Sequence, residues 1–223
     1  MSTHTLRETV KRFGTLPQMP TTALRLASVC SDPESTLAEI VEIIRYDQAM
    51  TSNLLRLCNS AYFGLARRIE SLDDAVRLLG TVKTLQLVMA EHARAMLNRA
   101  QEGYGLAAGA LWQHSVAVAL GAQLLARPMK LGSGGLLFTA GLLHDVGKVV
   151  LNEYVAREYA EIAEAVRTQH ITFCEAEQRV LGFTHPEVGA CLAETWSLPE
   201  TLVRCIRWHH SPEDSGDVDS LVD

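Results

Sequence analysis

The chain has 223 residues, a formal net charge of −6, 48% hydrophobic residues and only 6% aromatics. That length holds one large domain or two small ones with ample core, and an aromatic-poor composition suits helices packed through Leu, Val, Ala and Ile. The acidic balance argues against a nucleic-acid backbone as the main partner, because no basic run exceeds the pair Arg67–Arg68 and phosphate tracks need concentrated basic surface. Five cysteines without a C-x-x-C spacing read as reduced intracellular thiols used as small hydrophobes. The start, MSTHTLRETVKRF, lacks the apolar core of a signal peptide. The longest hydrophobic stretch, Leu136 to Leu151, is interrupted by His144, Asp145 and Lys148 and so does not read as a membrane span. The expected location is cytoplasmic.

Residues 16–20, LPQMP, form an extended entry, since each proline restricts the residue before it. A helix is predicted over 21–29, closed by Ser31-Asp32-Pro33. The next starts at Ser35 or Thr36, where Thr36-x-x-Glu39 has capping-box spacing, and buries Ile40, Ile43 and Ile44. Others run from about Ala49 to Ser60, from Ser71 to Leu79 with a stop at Gly80, and from Val82 to Leu97 with a core stripe of Leu85, Val88, Met89 and Met96. Gly103–Gly109 marks a boundary between two helical subdomains, residues 1–105 and 106–223. Beyond it, Leu111 to Ala126 is apolar nearly all round and is expected to be buried. Residues 130–135, KLGSGG, read as a hinge loop. Leu136 to Leu151 is predicted as one buried helix, Glu153 to His170 as a charged amphipathic one, and Phe173 to Leu181 as another, stopped by Gly182. Thr184-His185-Pro186 opens a helix to Trp196, and Ser197-Leu198-Pro199 opens one to His210. From Ser211 the chain is acidic and loop-like, and it ends at Asp223 as a new apolar segment begins; a further helix is expected beyond that point. Alternating strand patterns with hairpin turns are absent. The fold class is therefore all-α.

His114, the pair His144–Asp145, His185 and the pair His209–His210 hold five of the eight histidines, all in the second half. Imidazoles with a carboxylate are a ligand set for a transition metal. His144 and Asp145 lie in GLLHDVGK, mid-helix on this reading, and a carboxylate buried there needs a cation or strong donors. Lys148, at i+3 from Asp145, is one partner; a metal is the other. His209 and His210 close a helix, whose carboxyl end favours a nearby cation. His4, His92 and His170 read as surface residues. Trp112, Trp196 and Trp208 read first as packing around the polar centre and second as a pocket wall, and Asn59-Ser60-Ala61-Tyr62-Phe63-Gly64 as either a contact turn or a helix cap with packed aromatics.

The contexts WQHSVAVA, AGLLHDVGK, HPEVGACLAETWSLP and WHHSPE resemble the HD superfamily of metal-dependent phosphohydrolases. LPQMP, IIRYDQAMTSNLLRLCNSAYFG and IESLDDAVRLLG narrow the resemblance to its signalling branch, the HDOD domain, over roughly residues 16–212. The resemblance implies a multi-helix HD-type bundle with an added N-terminal helical subdomain. It implies a bacterial regulatory module acting through signalling proteins, with a divalent ion (iron, manganese, zinc, nickel or magnesium) at His114, His144, Asp145, His185, His209 and His210. For an active relative it implies hydrolysis of a nucleotide or cyclic dinucleotide, with Asp145 and Lys148 as the catalytic candidates. Two features depart from an active pattern. No GYP segment follows the double histidine, and the family's final aspartate has no clear counterpart beside Asp217, Asp219 and Asp223.

Overall fold

The computed structural model describes residues 17–216 apart from 30, 31, 33, 62, 66, 127 and 130–133, with the side chains of Glu153 and Tyr154 also set aside. Among these, ten α-helices follow one another without a strand: α1 (Thr21–Val29), α2 (Leu37–Ile44), α3 (Gln48–Cys58), α4 (Leu72–Leu97), α5 (Ala110–Ala126), α6 (Gly134–Leu143), α7 (Val146–Gln169), α8 (Phe173–Leu181), α9 (His185–Thr195) and α10 (Glu200–Trp208). The all-α expectation holds.

Local signals set the starts. Thr36, Thr172 and Thr184 each form a full capping box, with Glu39, Glu175 and Glu187 respectively, so two otherwise orphaned N–H groups are satisfied at each start. Asp47 and Ser71 cap α3 and α4 through single side-chain bonds. Gly80, at φ 71°, breaks α4 into the two expected helical segments; a left-handed backbone there suits only glycine well.

One hydrophobic core runs through both halves of the chain, joining Leu26, Ile40, Leu54 and Leu97 to Leu111, Leu142, Leu151 and Leu192. The entry segment is tied to the far end: Trp196 Nε1 donates to the carbonyl of Pro17 at 3.1 Å. Leu85, Val88 and Met89 are buried and Met96 packs against them, as the stripe predicts.

Four expectations depart from the structure. Leu136–Leu151 is not one helix: α6 ends at Leu143, and α7 runs unbroken from Val146 through the charged segment to Gln169. His144 and Asp145 form the turn between them, and periodicity alone does not register a two-residue break between apolar flanks. The glycines of this motif explain the docking. A Cβ on Gly141 would lie 2.8 Å from the Ala119 backbone of α5, and one on Gly147 2.7 Å from Gly189 N of α9. The apolar run 134–152 is 67% buried within the protein. Second, α5 is not buried all round: Leu120, Leu124 and Leu125 are exposed, because a helix apolar on every side carries no phase to tell its inner face. Third, of the expected hinge at 130–135, Gly134 and Gly135 belong to α6, and residues 130–133 lie outside the described residues. His92 also departs from a surface position; it is half-buried, 3.9 Å from Asp47. His170 is exposed, as expected.

Candidate metal centre

Asp145 precedes α7, yet its side chain makes no capping bond. The carboxylate instead sits 1% exposed beneath a ring of imidazoles. His114 Nε2 and His144 Nε2 lie 3.6 and 3.4 Å from its Oδ2, and His185 Nε2 and His209 Nε2 lie 3.3 and 3.6 Å from its Oδ1. Lys148 Nζ donates to Oδ2 at 2.7 Å. His210 joins through His185, with their Nε2 atoms 3.1 Å apart. All seven residues named from the sequence thus converge, from α5, the α6–α7 turn, the first turn of α7, the start of α9 and the end of α10.

Their tautomers follow from the outer bonds. His144 Nδ1 donates to the Gly141 carbonyl at 2.7 Å and His209 Nδ1 to the Ile206 carbonyl at 2.8 Å. Carbonyl oxygens only accept, so each Nδ1 carries a proton, and the Nε2 that faces Asp145 is a lone pair unless a second proton or a metal occupies it. His185 Nδ1 donates to Glu177 Oε2 at 2.7 Å, which gives it the same sense. Lone pairs facing a buried carboxylate repel it unless a cation, proton or metal, lies between them. Asp145 Oδ1 and His209 Nε2 are buried without a hydrogen-bond partner. Orphaned acceptors of this kind are costly, and a metal ion would satisfy them together. The donor atoms fall into two sets that share Asp145: one with His185, His209 and His210, one with His114 and His144, each within 4.8 Å.

Burial alone would raise the Asp145 pKa; with a proton on their Nε2 atoms, His144, His185 and His209 outweigh it and hold the carboxyl far below its ordinary range. Burial would likewise depress His185, yet its contacts with Asp145 and Glu177 win and raise it. His210 is pushed down to about 4, first by burial and then by the charges of His209 and His185. His114 is lowered by burial, although its side chain is 56% exposed and forms the open side of the cluster.

Sequence reasoning missed Glu177 and Tyr104. Glu177 is fully buried on α8 and accepts three bonds: the His185 backbone N–H at 2.9 Å, His185 Nδ1, and Tyr104 O–H at 2.6 Å. It fixes the ring of His185 and satisfies a buried N–H that α9 leaves unpaired at its start. Tyr104 arrives on a 3-10 turn, Glu102–Tyr104, seated against α7 by the bond from Gly103 N to Asn152 Oδ1 at 2.9 Å. The only sequence signal was a glutamate on the otherwise apolar side of α8. Cys174 lies near Glu177 and His185, but burial and the Glu177 charge push its thiol up to about 11. Asp217, Asp219 and Asp223 lie outside the described residues.

The comparisons agree with this fold. The HDOD domain model matches residues 16–212. An HDOD domain protein of unknown function from Geobacter sulfurreducens is 32% identical, with a TM-score of 0.73, covering 95% of this chain and 70% of that one. A candidate phosphohydrolase from Shewanella amazonensis is 25% identical, with a TM-score of 0.73 and coverage of 98% and 83%. A candidate signal transduction protein from Marinobacter aquaeolei is 26% identical, with a TM-score of 0.70 and coverage of 93% and 46%. An uncharacterized protein of Treponema pallidum is 28% identical over 203 residues; they make up 90% of this chain but only 38% of that relative's length. The helical order, the Asp145 cluster and a match over nearly the whole chain lead to one conclusion: this chain belongs to the HDOD domain family.

Proposed function

We propose that this chain is a regulatory signalling module that works through protein partners and holds a divalent transition metal at the Asp145 cluster. In this reading residues 1–105 form an N-terminal helical subdomain and 106–223 an HD-like bundle. The observation that carries the metal assignment is the buried, unpartnered Asp145 Oδ1 facing the Nε2 atoms of His185 and His209. Imidazole-rich donors favour iron, zinc, nickel or manganese over magnesium, which prefers all-oxygen shells. His114, His144, His185, His209, His210 and Asp145 would hold the ion. Lys148 supports a non-catalytic role: its ammonium already neutralises one Asp145 oxygen at 2.7 Å, so the dyad is braced from within.

A second reading is an HD-type phosphohydrolase for a nucleotide or cyclic dinucleotide. The two ligand sets sharing Asp145 favour it. A bound ion would act as Lewis acid and lower the pKa of a coordinated water; Lys148 would contact a phosphate oxygen as a point charge.

Metal analysis of protein purified anaerobically without chelator, beside Asp145→Asn and His144→Ala, tests the proposal. Near-stoichiometric metal that disappears in both variants supports it, and a folded wild type free of metal rejects the metal half. Metal-dependent turnover of nucleotides or cyclic dinucleotides that is lost in Asp145→Asn would replace the partner-only reading with the hydrolase.

A further inference from the structure

Away from the histidine cluster, a cavity of about 940 Å³ opens between α3 and the segment that follows it, lined among others by Arg56, Asn59, Ser60, Arg67, Arg68 and Glu70. Its wall is built by Asn59, whose side-chain amide donates to the carbonyls of Leu55 and Ile69, each at 2.8 Å, and accepts from Ile69 N at 2.8 Å. These three bonds pin residue 69 back onto the end of α3. They thereby fix the end of the segment that carries Arg67 and Arg68, which lines the cavity together with Arg56; the Arg56 guanidinium also donates to Asn53 Oδ1 at 2.8 Å.

The charge of this cavity runs against that of the chain. Three guanidiniums line it with one carboxylate, Glu70, whereas the protein as a whole carries −6. Among the described residues, none of the three arginines has an ion-pair partner within the protein, whereas Arg45, Arg167 and Arg207 are paired with Glu42, Glu164 and Glu194, and Arg25 and Arg99 are unpaired like the three. The Ser60 hydroxyl, on the same wall, is buried without a partner. Planar guanidinium forks match phosphate oxygens in a way that ammonium groups do not. A cleft of this size is at the upper end of those that take small ligands.

We infer that this cavity binds a phosphate-bearing small molecule of nucleotide size through Arg56, Arg67 and Arg68, as a second site independent of the Asp145 cluster. No lining residue belongs to that cluster, so ligand binding here does not draw on the Asp145 centre. Ser60 and the backbone of the pinned segment supply neutral contacts beside the phosphates.

The test is calorimetric titration of the full chain in excess EDTA with guanosine triphosphate and, separately, inorganic pyrophosphate. Wild type, Arg67→Ala/Arg68→Ala, the charge-matched Arg25→Ala/Arg99→Ala and Asp145→Asn are compared, with circular dichroism to confirm folding. Saturable binding at one site per chain is expected. Loss of two charge-assisted contacts should weaken it about tenfold or more in Arg67→Ala/Arg68→Ala and leave the other two variants unchanged. Tighter binding of the nucleotide than of pyrophosphate would place the base in the cavity; equal affinity would mean the phosphates alone are read. No saturable binding to wild type would overturn the inference, as would equal weakening in the Arg25→Ala/Arg99→Ala control or a loss confined to Asp145→Asn.

Discussion

Glu177 and His185 are joined twice: one carboxylate oxygen accepts both the backbone N–H and the Nδ1–H of the histidine, at 2.9 and 2.7 Å. Eight residues apart in sequence, they connect the inside of α8 to the first residue of α9. The pair locks the direction in which Nε2 points, and Tyr104 closes the other oxygen.

Glu177→Ala should therefore act on metal binding without touching a ligand. Outer partners of ligating histidines are worth about 10–100-fold in metal affinity. The same change leaves His185 and Tyr104 unpaired in the core, costing about 1–3 kcal/mol for each orphaned group. Glu177→Gln, which retains an acceptor, should recover most of the stability and part of the affinity. Competition with a chelating dye and urea melts separate the two effects. Unchanged metal affinity in a folded Glu177→Ala protein would remove Glu177 from the centre.

The convergence of the candidate ligands was legible because histidines at helix ends and in an apolar turn are hard to explain otherwise; the six candidates do meet, with Lys148 beside them. Helix starts were legible as well, since Thr36 and Thr184 carry their glutamate partners three residues on. What escaped has a common cause. Glu177 and Tyr104 become partners across 73 residues, and no local pattern encodes such an encounter. The break at His144–Asp145 was hidden because the residues on both sides are equally apolar and buried. The inner face of α5 was hidden for a similar reason: Leu120 and Leu124 look like core residues until the neighbours are known.

The glycines at the dyad supply a stability prediction. Gly147→Ala would place a methyl 2.7 Å from Gly189 N, and closer still to the His185 carbonyl; Gly141→Ala would place one 2.9 Å from Ala119 N. Both obstacles are backbone and cannot rotate away. Each substitution should destabilise by about 1–3 kcal/mol or more by forcing helices apart, with Gly147→Ala also displacing His185. Gly121, within α5, has no atom within 4 Å of an added Cβ, so Gly121→Ala should be neutral or stabilising by up to about 1 kcal/mol through helix propensity. Urea midpoints of the three variants give the comparison. Equal midpoints would contradict close helix docking at the dyad.

Lys148 predicts an opposition between metal and lysine. Its ammonium shares Asp145 Oδ2 with the Nε2 atoms of His114 and His144, so it repels any cation drawn to that oxygen. Lys148→Met, which keeps the stem and removes the charge, should lower the stability of metal-free protein and raise its affinity for divalent transition metals. Thermal melts with and without metal test both directions. A fall in affinity would instead make Lys148 a support of the loaded site.

The pH dependence of the metal-free protein follows from two histidines moved in opposite directions. His210 titrates near 4 in the folded chain against 6.5 as a free side chain. Between those values the unfolded state binds more protons, so stability falls as pH drops from 6.5 toward 4. His185 is raised above 6.5. Its stabilising contribution is fully present below 6.5 and is lost as pH rises through its folded pKa. Together they place an optimum near pH 6.5 for metal-free protein, with His114, also lowered, steepening the acid side. His210→Asn should flatten the acid slope and leave the alkaline one in place. Metal requires deprotonated imidazoles, so loading should add stability chiefly on the alkaline side and move the optimum upward. Melting temperatures from pH 4 to 9, with EDTA and with zinc, measure this; an acid slope unaltered by His210→Asn would show that other groups control it.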